Sequence, residues 1–419
     1  MSLPNPQLPR RTVLAGAVAS VLAAPAVRAQ TFRSVTLRHV GHGSSWLGDI
    51  TRKASEDLGF KIEATPLDAT ALAQRGRTQP GSFDVIELDN WMIRLAAPGG
   101  SLQAFDVSKV ALFDQVVPIF TKGRLNDQAP VAQGTSPNTI MFTEGADARR
   151  FSRDPTPWAT FVPGMYNADT LGIRPDLVGK PIDSWASLLD PAFRGRTALI
   201  NVPSIGIIDA AFALEASGRV RYADKGNMTK AEIDATINAL IELKKQGQFR
   251  AFWGNFEQSV ALMTSGEVVI QSMWSAAVSV VRSRGLACQY VPLKEGYRAW
   301  CTGLAMSRNL DGIEREAAYA YINWWLSGWA GAFYLRQGYY PSVLETTRKL
   351  VTPEEWAFWM EGKPASAAIL NPFGETMEPQ GAVRDGGSFA DRMGKVACWN
   401  SVMDENAYMV SRWTEFVAS

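Results

Sequence analysis

Histidine is nearly absent from this sequence. There are two, His39 and His42, so chemistry that turns on an imidazole base must use one of them. Their H-x-x-H spacing falls where a strand runs into a glycine turn, and there the rings are not brought together as they would be on a helix, which argues against a zinc pair. Cysteine is scarce too. Cys288, Cys301 and Cys398 are too few for a disulfide scaffold and too far apart for a metal or redox motif; one bridge with a free thiol, or three buried thiols, are both open. No G-x-S-x-G elbow, P-loop or G-x-G-x-x-G is found: Gly41-His-Gly-Ser-Ser keeps two glycines of a dinucleotide turn but has Trp46 in the third place. Ser44 or Ser45 beside His42 leaves a hydrolase conceivable, although adjacent side chains seldom aim at each other. Neither sign of charge is in excess, with 42 Lys plus Arg against 41 Asp plus Glu and no basic run, so nucleic acid is excluded as a partner. Past the N-terminus there is no stretch of about twenty uninterrupted apolar residues to span a bilayer.

What is present is ordinary globular composition over 419 residues, enough for two lobes and a sizeable core. The first 29 residues read as an export signal. Arg10-Arg11 precede the apolar run Val13 to Ala24, and Val27-Arg28-Ala29 supplies small residues for cleavage after Ala29. Pro-Arg-Arg-Thr-Val-Leu resembles a twin-arginine signal, with Val13 where Phe is common. Its removal takes away three arginines and no acid, leaving 39 basic against 41 acidic residues and no field to steer a charged partner. The expected location is the periplasm.

The mature chain alternates strands and helices. Val35–Val40 reads as a strand, Gly41–Ser45 as a turn, Trp46–Leu58 as a helix, Phe60–Ala64 as a strand, Ala69–Arg75 as a helix and Phe83–Leu88 as a strand. This is an α/β lobe with a largely parallel sheet, in which ligands sit beyond the carboxyl ends of strands. The turns Gly41–Trp46 and Asp89-Asn90-Trp91 are therefore the first site candidates. A Pro- and Gly-rich middle, Ala129–Pro157, marks a crossover, after which the same grammar resumes. Ala198–Val202 is a strand, Thr229-Lys-Ala-Glu232 a capping box opening a helix with Ile233, Ile237, Leu240 and Ile241 on its apolar face, Asn255–Met263 a helix, and Glu267–Met273 a strand leading to Trp274-Ser275. A helix to Arg284, strands at Cys288–Pro292 and Gly303–Ser307, and helices over Glu314–Leu326 and Ala330–Gln337 follow. From Val351 to Ser419 only short helices are legible.

Tryptophan is abundant, 14 in all, and Trp91, Trp253, Trp274 and Trp300 stand at expected strand ends. There an aromatic face can stack on a ligand while the indole N–H fixes its orientation. Trp324, Trp325 and Trp329 sit in helical patterns and read as core.

Several pieces between about Val35 and Leu350 carry a family resemblance: Phe83-Asp-Val-Ile, Gly164-Met-Tyr-Asn-Ala-Asp, Ser265-Gly-Glu-Val, Met273-Trp274, Pro292-Leu-Lys-Glu-Gly, and above all Ser184-Trp-Ala-Ser-Leu-Leu-Asp-Pro-Ala-Phe-Arg-Gly. In these the chain resembles the periplasmic solute-binding proteins of ABC importers, and within them the spermidine/putrescine-binding branch. The resemblance implies a two-lobed type II periplasmic-binding fold of class α/β, each lobe a mixed sheet flanked by helices with the ligand cleft between. It implies lobe 1 from 30–155 and 277–325, lobe 2 from 156–276, and C-terminal helices, 326–419, mostly in lobe 2. It implies a non-enzymatic monomer whose partners are a small organic solute and an inner-membrane permease, with no cofactor and no metal. Trp274, Trp300 and Tyr340 match aromatics that wall the cleft, and Tyr166, Ser204, Trp253 and Ser275 lie beside matched positions. Where polyamine members place carboxylates, this chain has Ser44, a residue near Ile205, Ala277 and Thr302; Asp89 is the one carboxylate left, with Asn90, Trp91 and His42 around it. The resemblance thus points away from a long diamine or triamine and toward an amine with one cationic centre, a zwitterion or a neutral solute. A secreted hydrolase or lyase on a similar body, and a sensor-type binding protein, are the competing readings.

Overall fold

The computed structural model describes residues 32–419, so the expected export signal lies outside the described residues. β1 (Thr36–His42) pairs in parallel with β2 (Lys61–Leu67) on one side and β3 (Val85–Asp89) on the other. Parallel neighbours need crossovers, and α1 (Leu47–Leu58) and α2 (Ala69–Thr78) supply them. α1 turns Leu47, Ile50, Thr51 and Ala54 inward and ends at Gly59, whose φ of 74° lets its N–H reach back to Ser55. α3 (Asn90–Ala96) leaves β3 with no intervening loop.

The element that organises the molecule is β4 (Val162–Ile173), twelve residues of which every one is buried. A strand covered on both faces has no reason to alternate, so Val-Pro-Gly-Met-Tyr-Asn-Ala-Asp-Thr-Leu-Gly-Ile carries no period and does not announce itself as a strand. Beyond it the second lobe sets β5 (Thr197–Ile200) between β6 (Phe249–Trp253) and β7 (Ile270–Met273), all parallel, connected by α4 (Pro203–Ala216), α5 (Lys230–Lys245) and α6 (Phe256–Ser265). The capping box on α5 is formed, Thr229 and Glu232 each closing on the other's backbone N–H. α7 (Ser275–Ser283) follows β7, and β8 (Tyr297–Ser307), longer than its expected Gly303–Ser307, runs back to the first lobe antiparallel to both β4 and β3. A Cβ on Gly164 would lie 2.5 Å from Thr302 Oγ1, so the close approach of β4 to β8 requires glycine there. α8 (Gly312–Leu326), α9 (Trp329–Leu335), β9 (Val396–Trp399) and α10 (Asn406–Ala418) complete the parts used below.

Strand order is β6-β5-β7-β4-β8-β3-β1-β2, one continuous mixed sheet. The first-lobe sheet is thus parallel only over β1–β3. Buried side chains separate into a first-lobe core drawn from 32–168 and 297–399, and second-lobe clusters drawn from 171–293 and 398–416. The changeovers fall inside β4, just before β8 and near Cys398, rather than at the expected 156, 277 and 326. The segment expected mostly in lobe 2 instead gives Phe333, Tyr334, Phe358, Trp359 and Phe389 to the first core, and only its end, with Met403, Trp413 and Phe416, goes to the second. Short amphipathic helices show that a face is buried, not against which lobe. The three cysteines are free, buried thiols. Among the described residues no helix is long and apolar enough to cross a membrane.

Candidate ligand-binding cleft

Register alone brings the site together. Asp89, the last residue of β3, stands opposite Thr302 of β8, while Met273, the last of β7, stands opposite Thr170 of β4. β3 and β7 run in opposite directions, so the carboxyl ends of the two lobes' strands point toward each other. The stretch between is floored by β4 and β8, where Trp300 pairs with Asn167. Open α/β sheets bind ligands beyond strand carboxyl ends, and here two such ends share one cleft.

The first-lobe wall is the turn after β1 and the end of β3. His42 Nε2 lies 3.4 Å from Asp89 Oδ2, with side-chain exposures of 12% and 17%. Burial alone would hold the imidazole neutral, but Asp89 and, behind it, Glu87 outweigh burial and push its pKa up to about 9. Glu87 is fully buried, with Oε2 2.7 Å from the Ser45 hydroxyl and Oε1 without a partner. His39, on the other face of β1, goes the opposite way: its Nδ1 is 2.9 Å from Tyr321 Oη and burial lowers its pKa to about 3. The two rings therefore do not converge. Ser44 lies in the single 3-10 turn Gly43–Ser45, which Trp46 closes at φ 49°, a left-handed conformation costly for a bulky residue. Asn90 is buried and braces the wall by donating to the carbonyls of Thr135 and Asn400. Trp91, on α3, is half-buried against the first core.

Aromatic rings form the second-lobe wall. Trp253 ends β6 and Trp274 follows β7, their centroids 4.9 Å apart and nearly edge-on, and Phe256 stacks parallel to Trp274 at 6.5 Å. Trp274 is partly exposed, whereas Trp253 is 1% exposed with its Nε1 unpartnered. Ser204 lies in the first turn of α4, and Ser275, opening α7, accepts from Asn167 Nδ2 at 2.9 Å. On the floor, Trp300 is partly exposed, edge-on to Tyr339 at 5.7 Å, its Nε1 also unpartnered.

Three expected contact residues are committed to the protein itself. Tyr166 is fully buried and donates to Pro341 O, Tyr340 is fully buried and accepts from Arg384, and the Thr302 hydroxyl accepts from Met165 N. Sequence reading passed over Glu87, Phe256 and Tyr339. A carboxylate amid Val85, Ile86 and Leu88 was a visible signal for the first; the other two were hidden among ordinary aromatics. Beside the floor, Arg298 of β8 bonds Asp209 of α4 at 2.6 Å, Asp169 of β4 at 3.2 Å and Asn400, all but fully buried, and Tyr290 Oη donates to Asp169. This network ties the crossing strands to the second lobe.

A family model for bacterial extracellular solute-binding proteins matches residues 50–359. Among solved structures, the spermidine/putrescine ABC transporter substrate-binding protein PotD from Streptococcus pneumoniae aligns over 91% of this chain and 98% of that one, at 14% identity and a TM-score of 0.61. The Atu4243 GABA receptor aligns over 91% and 97%, at 18% identity and 0.60. The binding protein AgtB from A. tumefaciens R10, in complex with agropinic acid, aligns over 92% and 99%, at 17% identity and 0.54. Likeness at such identities is one of fold, and that fold is the two-lobed type II periplasmic-binding architecture. No curated protein matches the chain by sequence.

Proposed function

The chain belongs to the bacterial extracellular solute-binding protein family, and from that membership we propose that it is the extracytoplasmic solute-binding component of an ABC importer, a monomer that closes its lobes on one small organic solute and presents the closed form to an inner-membrane permease. Closure is favoured only when a ligand satisfies both walls at once, which is what couples binding to presentation. We further propose export to the periplasm by the twin-arginine route. Arg10→Lys with Arg11→Lys should leave the precursor in the cytoplasmic fraction, and its unaltered export would remove the twin-arginine reading.

One observation carries the substrate class: the carboxylate at the cleft is already shared. Asp89 has the His42 imidazole 3.4 Å from one of its two oxygens, so it has room for one ligand cation at most. A solute with an ammonium at both ends would bury at least one of them against aromatic faces alone, and cation–π contact returns less than desolvation removes. The ligand that fits has at most one cationic centre: a monoamine, a zwitterion or a neutral solute, stacked by Trp274 and Trp300 and oriented by their indole edges. The GABA and agropinic acid named for two proteins of the same fold fall within reach of this class. The hydrolase reading loses support, because the Ser45 hydroxyl is held at Glu87 and His42 at Asp89, not at each other.

Mass spectrometry of the protein purified under mild conditions from its native host tests the proposal. The expected result is one small organic solute, released unchanged on unfolding. Conversion of that solute during incubation would make the protein an enzyme, and a co-purified polyamine would overturn the substrate class. A gene neighbourhood with a receptor but no permease or ATPase would favour the sensor reading.

A further inference from the structure

One imidazole on the first-lobe wall answers two carboxylates. Glu87 and Asp89 stand two residues apart on β3 and so share a face of the strand, and His42, the last residue of β1, is the charged neighbour of both. Among the described residues neither acid has a lysine or arginine as ion-pair partner.

The backbone makes room for Glu87. Its Oε2 takes the Ser45 hydroxyl at 2.7 Å, and glycine stands on either side of the carboxylate: a Cβ on Gly41 would lie 3.0 Å from Oε2, and one on Gly164 3.6 Å from Oε1. β1 and β4 therefore close over a fully buried acid whose Oε1 has no partner. A buried carboxylate is costly unless a cation is near it. His42 is that cation. Its Nε2 stands 3.4 Å from Asp89 Oδ2 yet completes no hydrogen bond, so the ring offsets the charge of the acids without using up their oxygens. Burial pulls the imidazole toward its neutral form, but Asp89 and then Glu87 prevail and raise its pKa to about 9. Two carboxylates and one imidazolium leave a single negative charge at the wall.

We propose that His42 sets the specificity of the cleft: as a tethered cation it stands where a ligand ammonium would otherwise stand between Asp89 and Glu87, and so limits the bound solute to one cationic centre. This deepens the reading of the cleft given above and rests on it. The wall turns away a second ammonium because it already holds one cation, not because it lacks acids. With the imidazole gone, two acids stand without a counter-charge, and an alkylammonium that brings three donors of its own relieves them.

Titration calorimetry of the ligand-stripped full chain tests this with three probes, butylamine, putrescine and butyrate, on the unaltered protein and on His42→Gln. The expected result is that His42→Gln binds both amines about tenfold or more tightly than the unaltered protein does, with no gain for butyrate. Adding Asp89→Asn should abolish the gain, and His42→Asn should reproduce it, which decides the matter if His42→Gln fails to fold. No gain for either amine, an equal gain for butyrate, or a gain that survives Asp89→Asn would overturn the proposal and leave the cleft reading standing. A gain that Trp274→Ala, added to His42→Gln, leaves untouched would mean that the two acids do not open on the aromatic cleft, and would overturn both.

Discussion

Three indoles of the cleft differ in what they are free to do. Trp274 and Trp300 are partly exposed, while Trp253 is 1% exposed. Replacing Trp274 or Trp300 by Ala should weaken solute binding by about 1–3 kcal/mol with little change in Tm, as for a central aromatic anchor. The same change at Trp253 should cost stability as well, about 3–5 kcal/mol, because it empties a filled core position. Calorimetry beside chemical denaturation separates the cases, and an equal loss of stability at all three would make the whole set core. His42 gives a second residue-scale expectation. Its folded pKa of about 9 stands above its ordinary 6.5, so the stability it contributes is complete below pH 6.5 and is lost as pH rises through 9. At its fullest that contribution is on the order of 3 kcal/mol. Urea midpoints of the native protein and His42→Gln should therefore converge between pH 7 and pH 10; a gap that stays constant would mean that His42 does not hold its proton for Asp89.

At the scale of elements, α5 owes its start to local sequence and the crossing strands owe their position to distant contacts. Thr229→Ala removes one half of the capping box and should lower stability by about 1 kcal/mol while leaving solute affinity unchanged. An affinity change would place the α5 terminus in the functional machinery after all. Arg298 behaves differently because its partners come from three elements. Arg298→Met leaves Asp169 and Asp209 buried without a cation, and should cost about 3–5 kcal/mol. Replacing all three by apolar residues should recover much of that loss. If the single variant costs no more than the triple one, the network is not what secures the strands.

For the whole molecule, the property the proposed substrate class rests on is a cleft with aromatic walls and one carboxylate, Asp89, already shared with His42. Spermidine and putrescine should bind the ligand-stripped protein far more weakly than the natural solute, with no sub-micromolar phase in titration calorimetry. A sub-micromolar polyamine would require acids to reach the cleft from elsewhere on closure, and Glu87 would be the first to examine.

Sequence by itself determined whatever short-range chemistry controls: the α/β alternation, the turns that follow β1, β3 and β7, and the α5 cap. Of the tryptophans it placed at strand ends, Trp253 ends β6 and Trp274 follows β7, whereas Trp300 lies within β8. Only the tertiary structure decided the rest. β4 is buried on both faces and so has no period, and the lobe boundaries fall inside it and next to β8 instead of in the Pro- and Gly-rich middle. Tyr166, Tyr340 and Thr302 were candidates by position along the chain, but whether a side chain faces a ligand or a neighbour depends on contacts made over 100 residues away, such as Tyr166 with Pro341. The same holds for Asp89, whose charge was legible and whose partner, His42, became its partner only when β1 and β3 were laid side by side.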